Sequence, residues 1–200
     1  MATAIDPSSQ PDDETLVIER IFDAPRALVF RLWSSPEHIV RWWGPEGYHL
    51  SSCSMDFREG GEWRFCMSRP ERNHWIHGVY REIAPPGRLS FTYINDADGH
   101  EMLVTLDFTE QDGKTLMRFR QAPFMNVRER DGHGWGWSSS FDLFSQYLRV
   151  HGNSGVWTSV TLPRREDGAS IDISSARERA RQEDAGPFVG ESNGNDTARN

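Results

Sequence analysis

The sequence predicts an α+β domain in which a mainly antiparallel sheet is closed by one long helix. Three observations carry this. Six runs of period-two alternation lie between residues 48 and 121, joined by short turn sequences. Two helix-start signals precede them, at Asp23-Ala24-Pro25 and Ser35-Pro36-Glu37. A stripe of Trp137, Phe141, Phe144 and Leu148 then recurs on the 3.6-residue period that ends the ordered pattern. A chain of 200 residues fits one such domain and buries its core without staples.

Taken in order, residues 1–13 are rich in Pro, Ser and Asp and read as a disordered lead-in. The run TLVIERIF over residues 15–22 is β-branched and bounded by polar residues, a first strand. After Pro25, Ala27, Val29, Phe30 and Trp33 have helical spacing. Ser35 then caps a second short helix that runs to Trp42 and Trp43 and stops at Gly44-Pro45. The six strands follow over 48–57, 61–67, 74–83, 88–93, 101–109 and 114–121. Glu59-Gly60-Gly61, Pro85-Pro86-Gly87, Asn95 to Gly99 and Gln111-Asp112-Gly113 supply the turn chemistry, and such short connections make antiparallel neighbours.

The closing helix is expected over 134–151. Gly132, Gly134 and Gly136 each weaken a helix by roughly 1 kcal/mol against alanine, which places the regular part from residues 135–137 onward. The domain is therefore expected over 14–152, with 153–200 an extension and mostly disordered polar tail too poor in apolar area to offset the entropy of ordering.

Composition removes several function classes. A net charge of -8 opposes the Lys- and Arg-driven attraction to phosphates, so nucleic acid is not an expected partner. No run approaches the roughly 18 apolar residues of a membrane span, and the start of the chain lacks a leader pattern, so a cytoplasmic location is expected. Cys53 and Cys66 have no Cys-x-x-Cys spacing and read as reduced thiols. His74 and His77, three apart on a strand, fall on opposite faces and do not chelate together, so no metal or other cofactor is expected.

Four stretches add a resemblance. They are FDAPRALVFRLWSSPEHIVRWWGPEG over 22–47, DFREGGEWRF over 56–65, GVYREIAPPGRLSFTY over 78–93 and GHGWGWSSSFDLFSQYL over 132–148. In this order the chain resembles the START-like helix-grip superfamily, also called SRPBCC. Within it the chain is most similar to the family named after the activator of heat-shock protein 90 ATPase homologues. The resemblance implies a curved sheet of about seven strands around the last helix, an apolar cavity between them, and two short helices plugging one end. It implies no single function, because the superfamily uses this fold to carry lipids, sense hormones, cyclise polyketides, sequester reactive molecules and bind chaperones.

Alternation assigns the inward face to Trp63, Phe65 and Met67; Ile76, Gly78 and Tyr80; Leu89, Phe91 and Tyr93; Met102, Val104, Leu106 and Phe108; and Met117 with Phe119. Eight tryptophans and eleven phenylalanines make the chain unusually aromatic, and such rings serve either as plain core or as pocket walls. As a pocket, the candidate ligand-binding set is Trp63, Phe65, Met67, Tyr80, Phe91, Tyr93, Phe108, Phe119, Trp137 and Phe141. The expected function is a non-catalytic binding module for a small, largely apolar molecule. One alternative is a stress-response or co-chaperone-like domain that binds a chaperone or another protein. The other is a cyclase- or hydrolase-type enzyme in the same cavity, for which Glu82, Asp107, His49 and His100 are the acid-base candidates. Of these, Glu82 shares the strand parity of Tyr80 and is expected to point inward, and Asp107 outward. For Trp42-Trp43, one ring is expected to plug the core end and the other to half-cover a loop.

Overall fold

A computed structural model describes residues 14–151; the lead-in over 1–13 and the tail over 153–200 lie outside the described residues. Strand β1 (Leu16–Phe22) leads into two short helices, α1 (Arg26–Arg31) and α2 (Pro36–Trp42). Six strands follow: β2 (His49–Met55), β3 (Glu62–Arg69), β4 (Arg72–Ala84), β5 (Arg88–Asn95), β6 (Glu101–Gln111) and β7 (Lys114–Ala122). Helix α3 (Val127–His151) closes the fold. All seven strands form one antiparallel sheet in the order β1-β7-β6-β5-β4-β3-β2, so the first strand returns beside the last. Among the described residues, no helix is long and apolar enough to cross a membrane.

The inward set assigned by alternation is buried throughout, and it meets the stripe of α3. Phe141 packs 5.5 Å from Phe119 between ring centroids, and Phe144 packs 4.7 Å from Phe22 and 4.8 Å from Trp42. Trp33, just past α1, sits at the centre, with Trp42, Trp43, Phe91, Trp137, Phe141 and Phe144 all within 6.4 Å of it. Trp42 and Trp43 are both buried, so neither lies open over a loop. The core thus extends across α2 as well as α3.

Three local expectations are corrected. Helix α3 begins at Val127, well before the glycines, because its start is capped: the Asn126 Oδ1 accepts from the Glu129 N–H, and the Glu129 carboxylate accepts from the Met125 N–H. Two satisfied end groups offset part of the glycine cost. Ser35 stands at the N-cap of α2 in an extended conformation, yet its side chain makes no cap hydrogen bond. The third correction is a bulge. Tyr80 pairs with Phe91 but Glu82 pairs with Ser90, so Arg81 is an extra residue on β4 and the parity beyond it flips. Glu82 consequently joins the outer face, where it and Asp107 both accept from Arg88.

Gly78 fixes how closely β4 approaches its surroundings. A Cβ there would lie 1.8 Å from the Thr92 carbonyl oxygen and 2.8 Å from Trp63 Nε1, a space only glycine fits.

Candidate functional site

Three segments meet at one end of the sheet without filling it. The first is the exit from α2, where Gly44 adopts a φ of 106°, which glycine tolerates without strain, and redirects the chain so that Pro45 and Tyr48 form one wall. The second is the β3–β4 hairpin, which brings Met67, Arg72 and His74 to the inner face. The third is the early part of α3. Gly132 and Gly136, four apart and hence on one helix face, both border the gap, and a Cβ built on either meets nothing within 4 Å. The result is a pocket of about 450 Å³ that opens to solvent between α3, the α2–β2 connection and the hairpin.

Its walls are largely aromatic: Trp43, Tyr48, Tyr93, Trp135 and Trp137. Trp135 is 63% exposed, a large ring standing at the mouth. Trp137 is held from behind. Its Nε1–H donates to Gln121 Oε1 at 2.8 Å, and His133 Nδ1 lies 3.3 Å from the same oxygen, so that nitrogen carries the proton if it donates there. Gln121 is fully buried, and its amide nitrogen reaches Met102 Sδ at 3.4 Å. A buried side-chain amide therefore fixes the orientation of two lining residues.

The polar side chains of the pocket include Arg72, His74, Tyr93, His133 and Ser140, and among the described residues no Asp or Glu lines it. Burial lowers the pKa of His133. Burial, followed by the nearby Arg72 charge, lowers that of His74. Burial pushes the Tyr93 phenol well up. At neutral pH these three groups are uncharged hydrogen-bonding groups, and among the described lining side chains Arg72 carries the only full charge. The Ser140 hydroxyl donates back to the Gly136 carbonyl.

Of the ten candidate residues, Met67, Tyr93 and Trp137 line this pocket. Trp63, Phe65, Tyr80 and Phe91 instead surround a separate void of about 10 Å³, together with Trp33, Ile39, Trp43 and Leu89. That is roughly the space of a single water. The indole nitrogens of Trp33 and Trp63 have no hydrogen-bond partner among the described residues. Phe108 packs on Phe30 at 5.7 Å, while Phe119 and Phe141 pack on Trp137 at 4.7 and 5.6 Å, and none of the three borders either space.

Sequence reasoning did not select Tyr48, Arg72, His133, Trp135 and the two glycines for the site. The available signal was the glycine spacing itself, since glycines persist inside a helix against their propensity where something else requires them. Of the acid-base candidates, Glu82 and Asp107 lie on the outer face, His49 is exposed, and His100 Nε2 lies 2.8 Å from the Pro123 carbonyl. His74 borders the pocket, whereas His77 pairs with Asp96 on the opposite face. Among the described residues, no three His, Cys, Asp or Glu side chains gather as metal ligands.

Comparison with solved structures returns the same architecture. The AHSA1 protein of Silicibacter pomeroyi is 26% identical, with a TM-score of 0.62, and the match covers 68% of this chain and 98% of that one. A protein of Chromobacterium violaceum is 22% identical with a TM-score of 0.64, covering 68% and 96% respectively. A protein of Rhodobacter sphaeroides is 21% identical with a TM-score of 0.63, covering 72% and 97%. A comparison with curated proteins finds no match. A family model described as Activator of Hsp90 ATPase homolog 1-like protein matches residues 23–149. With that match spanning both short helices, all of β2 to β7 and nearly all of α3, the chain belongs to the Activator of Hsp90 ATPase homolog 1-like family, within the START-like helix-grip superfamily.

Proposed function

We propose that this chain is a non-catalytic binding module that holds a small, largely apolar molecule in the pocket between the early part of α3, the α2–β2 connection and the β3–β4 hairpin. The observation that carries this reading is the contrast between the two spaces: about 450 Å³ in the solvent-open pocket at the end of the sheet against about 10 Å³ at its centre. Ligand sites usually occupy roughly 300–1,000 Å³ and combine apolar walls with a few polar groups. The aromatic walls with Tyr93, His133 and Arg72 fit that description. Met67, Tyr93 and Trp137 are the members of the expected site that this reading uses.

Native mass spectrometry of the purified protein tests it. A co-purified small molecule that is lost when the pocket is filled by mutation is the expected result. A bare protein that also fails to take up apolar probes would end the reading. The name of the family favours a second reading, contact with a chaperone ATPase. An ATPase rate that stays unchanged on adding this protein would remove that one.

A further inference from the structure

The charge distribution around the pocket runs against that of the whole chain. Thirty acidic residues outnumber twenty-two basic ones, yet among the described residues no acid lines the pocket and Arg72 does. The carboxylates nearest the site in electrostatic terms are engaged elsewhere. Asp96 accepts from Arg64 and pairs with His77. Asp98 accepts from Asn95 and from the His100 N–H, and Glu129 caps α3 through the Met125 N–H. Arg72 forms no ion pair among the described residues.

The hairpin adds a second cation. Arg69 and Arg72 are direct cross-strand partners on β3 and β4, an arrangement of like charges that is unfavourable by itself. The Arg69 guanidinium lies 5.0 Å from the centroid of the Tyr48 ring, against a wall of the same pocket. Two facing arginines, one lining the pocket and one stacked on its wall, make a positive pole at the hairpin end. Trp43, Trp135, Trp137 and Met67 make the rest apolar.

We propose that the pocket takes an amphipathic organic acid, its carboxylate at Arg72 and its apolar body between Trp43, Met67, Trp135 and Trp137. A guanidinium fork matches a carboxylate in a bidentate pair, while the neutral imidazoles and the Tyr93 phenol serve as further hydrogen-bonding groups. The inference rests on the binding-module reading and adds the chemical class of the ligand.

Calorimetric titration with 2-naphthoate, methyl 2-naphthoate and 2-naphthylmethylammonium tests it. The acid is expected to bind about tenfold more tightly than the ester, and the ammonium more weakly than either. Arg72→Gln should bring the acid down to the affinity of the ester, with a thermal melt showing that the variant is folded. Arg72→Lys should restore part of the acid preference. An ester that binds as well as the acid, or an acid unaffected by Arg72→Gln, overturns the carboxylate assignment and leaves the pocket reading standing. Failure of all three probes on the unaltered protein overturns both.

Discussion

Gly136 offers a direct test because helix propensity and pocket volume pull in opposite directions there. It lies inside α3, where glycine costs about 1 kcal/mol relative to alanine, and a Cβ on it meets no atom within 4 Å. Gly136→Ala should therefore stabilise the protein by up to about 1 kcal/mol, raising Tm by roughly 2–4 °C for a domain of this size. It should hardly alter binding. Gly136→Phe keeps only part of the propensity gain and sends a ring into the pocket. If that ring displaces about 55 Å² of apolar ligand contact, at about 25 cal/mol per Å², binding weakens by about 1.4 kcal/mol, or tenfold. The assay is quenching of tryptophan fluorescence by methyl 2-naphthoate, reported by Trp43, Trp135 and Trp137 in the walls, with a thermal melt on each variant. Undiminished uptake by a folded Gly136→Phe variant would refute the reasoning, because the glycine face would then not border the binding space.

Other expectations separate core from pocket. Phe141 is fully buried and borders neither of the two spaces, so Phe141→Ala should cost the full 3–5 kcal/mol or so of a packed ring in denaturant unfolding and leave probe affinity unchanged; weakened binding at small stability loss would reverse the assignment. Burial lowers the pKa of His133 and His74, so the unfolded chain binds more protons than the folded one. Stability is then full above the ordinary value of 6.5, falls as pH drops below it, and levels off below the folded values. Urea unfolding between about pH 8 and about pH 5 should show a shallower loss in His133→Gln than in the unaltered protein, and parallel profiles would contradict this. Burial pushes the Cys53 thiol up to about 12, so it should resist a thiol-labelling reagent until the protein unfolds; rapid labelling of the native state would show that β2 opens locally.

How legible each feature was depends on how local its cause is. Strand alternation is local, and it assigned the inward faces of Trp63, Phe65, Phe91 and Val104 because the apolar side chains alternate with polar ones, even on β5, where Ser90 and Thr92 are themselves buried. It failed at Glu82, since inserting Arg81 as a bulge leaves no mark on the hydrophobic pattern: Val79, Tyr80 and Ile83 are compatible with either parity. The start of α3 was legible in principle. Asn126 and Glu129 stand at cap spacing, but the three glycines downstream drew the boundary toward residue 135. The pocket itself has no local cause. It exists where the hairpin, the exit of α2 and α3 fail to fill the space between them, and two of its borders are glycines whose contribution is the absence of a side chain.

The position of the pocket follows from how the aromatic residues are spent. Opposite the centre of the sheet, Trp33 fills the space under α3, and the rings around it leave only about 10 Å³. The open pocket lies where that packing ends, and α3 passes this boundary between Phe141 and Gly136. Trp137 belongs to both sides of it. One face stacks on Phe141 at 5.6 Å and another borders the pocket, while its indole N–H is tied to Gln121. Truncating Trp137 would therefore confound stability with binding, because a core contact, a buried hydrogen bond and a pocket wall vanish together. Phe141 and Gly136 lie on opposite sides of that ring, and each moves one property while sparing the other. Paired measurements on these two positions show where core ends and site begins along the helix.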